Sequence, residues 1–307
     1  MNKIIIDCDV GVDDALALIL AFHSPELEVM AVTGVNGNVP LDRVFVNIQK
    51  VLSLIQPAAK PFIAKGADRP LRGESPYAHS VHGQDGLGGA YIDQKEKEEW
   101  WKAYEGHAAN LIPEMARRYP DEITLVAVGP LTNLALALHK DPTGMKNIKE
   151  IISMGGAVRS QGNITPYAEF NIFSDPLAAR LVFESGLPVT LVPLDVTHQV
   201  FLTPLIMKER ISLLENPFYR FLMEATGYDR NHQQFHRKDL IYLHDPLAVG
   251  AVIDPNLLRK EKLALQVETQ EGEQYGRTRE VERGPEIKVC LEVDAKRFVG
   301  LFLSRLG

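Results

Sequence analysis

The chain reads as an α/β protein: an open, mostly parallel, Rossmann-like central sheet with helices on both faces and a small additional β element near the C-terminus. Three observations predict this. Short apolar runs rich in Ile and Val alternate with amphipathic stretches of helical length, a pattern that pairs strands in parallel through crossovers. Each apolar run ends in a polar or glycine-rich loop, so the loops form one rim at the carboxyl edge of the sheet, where such folds bind ligands. No internal repeat, low-complexity tract or linker interrupts the 307 residues, so residues 1–307 are expected to form a single domain.

The first element carries most of the information. Ile4-Ile5-Ile6 is a buried strand, and it runs into Asp7-Cys8-Asp9-Val10-Gly11-Val12-Asp13-Asp14 before a helix opens at Ala15 and continues to His23. Alternation along a strand places Asp7 and Asp9 on the same side. Gly11 permits a sharp turn, and Asp13 and Asp14 fall at the mouth of the helix, whose dipole welcomes negative charge. Capping accounts for one such aspartate, but not for four carboxylates at the end of a buried strand. Unit like charges about 4 Å apart repel by roughly 4 kcal/mol at a surface-like dielectric, so the cluster needs protons or a cation, and a cation is the expectation.

Farther along, Leu27 to Val35 reads as a second strand ending at Asn36-Gly37-Asn38, followed by a helix from Leu41 to Ile55 and a short strand at Phe62-Ile63-Ala64. Lys65 to Gly89 loses all hydrophobic period and carries His79, His82 and Asp85. A loop of that length is commonly functional, and it reads as a solvated lid bearing a histidine for the ligand. A charged helix is expected from about Glu98 to Arg118, then a strand from Glu122 to Val128, closed by Gly129-Pro130, and a helix from Leu131. Glu150 to Met154 is a strand, Gly155 to Asn171 is irregular, and Pro176 to Ser185 and Pro188 to Pro193 continue the alternation. Asp195 to Leu243 reads as helices with short breaks. Leu243-His244-Asp245-Pro246 then opens a helix, Leu247 to Ile253, with proline at a favourable first position and Asp245 available as a plain cap. Leu263 to Val293 reads as edge strands, and Lys296 to Leu306 as a closing helix.

Bulk properties exclude some functions. A net charge of −7 gives no electrostatic footprint for nucleic acid or an anionic membrane. The apolar stretches are too short to span a bilayer. Two cysteines, Cys8 and Cys290, make no disulfide framework, and Met1-Asn2-Lys3 leads directly into the first strand. Both features lead to the expectation of a cytoplasmic protein.

The acidic cluster has no Cys or His pair at metal-ligand spacing, so any ion is bound by oxygen, which selects Ca²⁺ or Mg²⁺. Several converging carboxylates suit the larger shell of Ca²⁺. Asn38, Asn163, Glu169 and Asn171 on neighbouring loops match a polyol such as ribose, and without Arg or Lys beside them they serve a phosphate poorly.

Asp7-Cys8-Asp9-Val10-Gly11-Val12-Asp13-Asp14-Ala15 resembles the signature of the nucleoside hydrolases, the inosine–uridine-preferring group. Further blocks resemble that family in the same order: Gly37-Asn38, Val81-His82-Gly83, Gly129-Pro130-Leu131-Thr132-Asn133, Met154-Gly155-Gly156, Asn163, Ala168-Glu169-Phe170-Asn171, Asp195-Val196-Thr197-His198 and His244-Asp245-Pro246. The resemblance implies hydrolysis of the N-glycosidic bond of purine or pyrimidine ribonucleosides to ribose and free base. By similarity, Asp9, Asp14, Asp245 and the carbonyl of Val128 would bind one Ca²⁺ per subunit, and Asp9 would be the general base on an ion-bound water. Asp13 and Asn171 would hold the 2′-hydroxyl, Asp245 the 3′-hydroxyl, and Asn163 and Glu169 the 5′ side, with Asn38 supporting this shell. His244 looks like the general acid for the leaving base, and His82 like a histidine contacting it. A homo-oligomer, tetramer or dimer, is implied by resemblance alone. The stretch Tyr228 to Tyr242, with His232, Gln233, Gln234, His236 and Arg237, matches no pattern and leaves base preference open.

Two other classes fit parts of the sequence. An aspartyl-nucleophile phosphotransferase with Mg²⁺ also begins Asp-x-Asp but needs a downstream cation for phosphate. A non-catalytic nucleoside- or sugar-binding protein would be expected to lack the base or the ion ligands.

Overall fold

The structure, a computed structural model of the chain, describes residues 1–92, 99–211, 217–227 and 240–306. Its strands are β1 (Asn2–Cys8), β2 (Leu27–Gly34), β3 (Phe62–Lys65), β4 (Lys102–His107), β5 (Ile123–Ala127), β6 (Glu150–Met154), β7 (Val189–Val192), β8 (Phe201–Leu202), β9 (Ile241–Tyr242), β10 (Leu258–Val267), β11 (Thr278–Glu280) and β12 (Glu286–Val293). Ten of them form one sheet in the order β11-β10-β12-β7-β6-β5-β1-β2-β3-β4, and β8 and β9 form a separate antiparallel pair. Every neighbouring pair from β12 to β4 is parallel, while β10 is antiparallel to both β11 and β12. The expected mostly parallel sheet with a β element late in the chain is therefore present.

The sheet order explains where a site can form. From β1 the chain steps outward through β2, β3 and β4, then returns to place β5 on the other side of β1 and continues through β6 and β7. The order reverses between β1 and β5, so the loops leaving their carboxyl ends part in opposite directions and open a crevice. Asp9 follows β1 and Val128 follows β5.

β1 is central because its β-branched run suits a pleated surface packed on both faces. Ile4 and Ile6 join the core with the helices Val12–Phe22, Leu41–Ile55, His244–Ile253 and Ala295–Leu306. Ile5 points to the other core, with Ala108–Arg118, Thr132–Lys140 and Pro176–Phe183. All three isoleucines are fully buried. Truncating any one to alanine would leave a cavity and cost about 2–5 kcal/mol.

Three sequence expectations change. The helix expected from Glu98 begins only at Ala108, because Lys102–His107 is β4, an edge strand paired with β3. Its mostly exposed residues show no hydrophobic run to mark it. Within the irregular stretch before Pro176, Phe170–Ser174 forms a short helix. Asp195 to Leu243 is not simply helical: it contains β8 and β9, and residues 228–239 lie outside the described residues, as does Glu98.

Candidate active site

The turn after β1 is built by its own aspartates. Asp14, in the first turn of the helix Val12–Phe22, accepts the Gly11 N–H at 2.8 Å and the Asp9 N–H at 3.2 Å. It does for this helix what a capping carboxylate does. The capping role foreseen for one aspartate is real, but it does not use up the group, because the Asn38 amide also reaches Asp14 Oδ2 at 3.2 Å. Asp9 Oδ2 accepts the Asn38 backbone N–H at 2.6 Å, while its Oδ1 is buried with no hydrogen-bond partner among the described residues. This approach requires Gly37, since a Cβ there would lie 2.0 Å from Asp9 Oδ2.

A second wall comes from the helix His244–Ile253, which packs on the helix Val12–Phe22. Asp245 lies in its first turn, where the helix dipole favours an anion. Asp13, Asp14 and Asp245 each offer an oxygen, and these atoms all lie within 4.8 Å of one another. Asp9 adjoins this triad through Asp14. Burial, then the charges of Asp13, Asp14, Asp9 and Glu169, push the Asp245 carboxyl well above the carboxylate range. Asp9 is driven the same way by burial and then by Asp14. Asp14 is pushed up to about 7 by burial and by Asp13, against the backbone donors of Gly11 and Asp9. Buried Asp13 Oδ1 likewise has no hydrogen-bond partner among the described residues. A set of buried, unpartnered carboxylate oxygens with no lysine or arginine among the described residues lining the cavity fits a hard divalent cation.

Asp7 does not join this cluster. Its carboxyl is held by the Thr33 hydroxyl and by the Asn133 amide at 2.7 Å, deep under the sheet's end. Burial lifts it to about 7 against those two donors. β1 ends at Cys8, so the strand alternation that pairs Asp7 with Asp9 stops before Asp9. Asn133 also accepts the Ala67 N–H at 2.7 Å and donates to the Gly34 carbonyl at 3.1 Å, tying the strand ends together.

The remaining wall follows β5 and β6. The Asn171 amide donates to the Val128 carbonyl at 2.8 Å. Glu169 caps the helix Phe170–Ser174, accepting from Asn171 N–H at 2.8 Å and Ile172 N–H at 3.1 Å, and takes the Gly156 N–H at 2.9 Å. Burial raises its carboxyl above the usual range against those donors. Asn163 is exposed on the rim and accepts the Phe170 N–H at 2.9 Å. From the long loop, a helical turn at His79–His82 brings the His82 ring in, where Nδ1 accepts the Val12 N–H at 3.1 Å and lies 3.9 Å from Asp13. This loop is anchored by more than its ends: the Asn47 amide donates to the Asp85 carbonyl at 2.8 Å, and the Ala78 N–H to the Asn38 carbonyl at 3.0 Å. Asp85 therefore organises the loop and does not line the cavity.

These walls enclose a cavity of about 580 Å³ lined by Asp13, Asn38, His82, Val128, Asn163, Glu169, Asn171, His244 and Asp245, with Asp9 and Asp14 buried behind them. The residues expected to meet ion, sugar and base are thus brought to one place, while Asp7 and Asp85 lie outside it. Tyr242 was not singled out. Its ring stacks on His244, centroids 5.4 Å apart and planes 21° from parallel, and it lines the cavity. The sequence carries no local signal for this pair, because β9 ends at Tyr242 and a helix opens at His244. His232, Gln233, Gln234, His236 and Arg237 lie outside the described residues.

Fold and site together define an α/β protein with an acidic, ion- and polyol-compatible cavity at the switch point of its sheet. The family model "Inosine-uridine preferring nucleoside hydrolase" matches residues 4–300, and the chain belongs to that family of hydrolases acting on N-glycosyl bonds. It is 38% identical to the inosine-uridine preferring nucleoside hydrolase of Crithidia fasciculata, over 99% of this chain and 97% of that protein. It is 36% identical to the pyrimidine-specific ribonucleoside hydrolase RihA of Salmonella schwarzengrund (strain CVM19633), with the same coverage of both chains. Among solved structures, a purine-preferring ribonucleoside hydrolase from Gardnerella vaginalis superposes with a TM-score of 0.88 at 32% identity, covering 99% of this chain and 98% of that one. No helix among the described residues is long and apolar enough to cross a membrane.

Proposed function

We propose that this protein hydrolyses the N-glycosidic bond of ribonucleosides, releasing ribose and a free base, with one Ca²⁺ held by Asp9, Asp14, Asp245 and the Val128 carbonyl. The observation that carries the reading is the meeting of aspartates from the β1 turn and the His244-Asp245 turn in one buried cluster with unpartnered oxygens. A divalent cation there would supply Lewis acidity, lowering the pKa of water at the sugar and drawing in the ribose hydroxyls.

The chain's own groups divide the remaining work. Asp9 takes the proton of the attacking water: its Oδ1 has no hydrogen bond to spend, while Oδ2 is fixed by the Asn38 N–H. Asp13 and Asn171 hold the 2′-hydroxyl and Asp245 the 3′-hydroxyl, fixing the ring for in-line attack. Asn163 and Glu169 grip the 5′ side, and Asn38 keeps Asp9 and Asp14 in register. Cleavage builds positive charge on the sugar ring, which surrounding carboxylates stabilise. His244 donates to the departing base, and His82 borders the base's side of the cavity.

The phosphotransferase alternative is disfavoured because no lysine or arginine lines the cavity among the described residues. A panel of purine and pyrimidine ribonucleosides, read by free-base release and reducing sugar, tests the reading. Release from at least one ribonucleoside, with 2′-deoxyribonucleosides slower by about 10²-fold or more, is expected. No release from any, or equal rates with and without the 2′-hydroxyl, would overturn it.

A further inference from the structure

The block Asp195-Val196-Thr197-His198 has no part in the site as derived so far, yet the fold sets it beside the leaving-group histidine. The antiparallel pair β8–β9 aligns Phe201 with Tyr242 and Leu202 with Ile241, and the Leu243 N–H donates to the Val200 carbonyl at 3.0 Å. This zipper leaves the short helix Leu194–Thr197 against the start of the helix His244–Ile253. The Thr197 hydroxyl lies 2.7 Å from His244 Nδ1. The His244 ring is held on two further sides, stacked on Tyr242 and met edge-on by His198 at 5.7 Å and 65°.

The direction of the Thr197–His244 bond follows from accounting for one hydrogen. Thr197 is fully buried, and its hydroxyl has no partner other than His244 Nδ1 among the described residues. Were Nδ1 protonated and donating, the hydroxyl hydrogen would sit buried with no acceptor, at a cost of about 1–3 kcal/mol. With the hydroxyl donating, Nδ1 is the bare acceptor and both groups are satisfied. The proton of the neutral ring then resides on Nε2, the nitrogen left for the cavity that His244 lines.

We propose that Thr197 is a positioning residue that locks His244 as the neutral Nε2–H tautomer, so that His244 serves the leaving base as a hydrogen-bond donor and not as an imidazolium. The proposal rests on the ribonucleoside reading above. As the glycosidic bond breaks, its electron pair moves onto the base. The Nε2–H bonds the base atom where that charge gathers, and the ring keeps its proton. The proton that finally neutralises the base is one of the two carried by the water that becomes the new hydroxyl of ribose, so atoms and charge balance. A neutral imidazole used as an electrophile is chemically sound where the ring's other nitrogen is held as an acceptor.

Two readouts test this. Nitrogen-15 correlation spectra of histidine-labelled enzyme, with His244 assigned by its loss in His244→Gln, should show Nδ1 as the bare nitrogen and Nε2 as the protonated one at neutral pH. A protonated Nδ1 in the wild type overturns the proposal. Thr197→Val keeps shape and removes the hydroxyl, so kcat on a ribonucleoside should fall about 10–100-fold with KM within about twofold, the range for losing a partner that orients a functional histidine. A riboside with a p-nitrophenolate leaving group, which departs without help, should lose less than about threefold, and Thr197→Ser should restore ribonucleoside turnover. Equal losses on both substrates would reveal a merely structural role and sink the proposal, as would wild-type turnover in Thr197→Val. If no riboside is cleaved at all, the functional reading fails, while the nitrogen spectra still decide the tautomer.

Discussion

Asp245→Asn should make the ion-free protein more stable while abolishing its activity. At 4.8 Å, two unit charges repel by about 3.5 kcal/mol at an effective dielectric of about 20, and Asp245 faces both Asp13 and Asp14 within that distance. Repulsion is relieved by taking up a proton. Burial and those same charges hold Asp245 well above its ordinary pKa, so with no ion bound the folded chain must either bear that repulsion or hold on to a proton as pH rises. Asparagine keeps the shape without the charge and should recover about 2–4 kcal/mol in chelator at pH 8. Thermal unfolding should then rise by at least about 5 °C. Because the folded-state pKa is raised, the stability is present below the unfolded value and is lost as pH rises toward the folded value. The advantage of the variant should therefore shrink toward pH 4. In saturating Ca²⁺ the wild type should gain about 4 kcal/mol at a thousandfold excess over Kd and the variant little, closing or reversing the gap. Differential scanning calorimetry at pH 5 and pH 8, in chelator and in Ca²⁺, reads all four corners. A variant less stable than wild type in chelator at pH 8 would refute the electrostatic argument.

Other perturbations separate the roles of neighbouring residues. Gly37→Ala places a Cβ 2.0 Å from Asp9 Oδ2, so kcat should fall at least about 10²-fold with little change in the circular dichroism spectrum; normal turnover would show that Asp9 is free to move. Asp9→Asn should cut kcat far more than it raises KM in steady-state assays, as the proposed role of proton acceptor requires, and an equal loss in both would argue against the base assignment. Asn133→Ala strips a donor from buried Asp7 and from the Gly34 carbonyl, and an acceptor from the Ala67 N–H. It should cost about 3 kcal/mol in urea titration, and a loss under about 0.5 kcal/mol would deny Asn133 its strut role.

Much of this site was legible because local rules point the same way. An apolar strand, a glycine turn and a helix mouth fix where Asp9, Asp13 and Asp14 leave the chain, and the helix Leu41–Ile55 matches its sequence boundaries because its apolar period is unbroken. The family blocks carried the rest of the cavity, from Asn38 to Asp245. What failed to show was tertiary in origin. β4 is an exposed edge strand recognisable only by its pairing with β3, and the helix Phe170–Ser174 is hidden because its cap, Glu169, is an unusual capping residue. Asp7 counts as one of four acids until Asn133, far along the chain, claims it. The Thr197–His244 bond depends on two strands of two residues each, too short to leave a period.

The central claim is that aspartates of the β1 turn and the His244-Asp245 turn hold one hard cation on which ribonucleoside cleavage depends. Titrating Ca²⁺ into metal-stripped enzyme while following free-base release tests it directly. The account predicts negligible release at the start and full activity at one equivalent per chain. Stripped protein that is already fully active would contradict it.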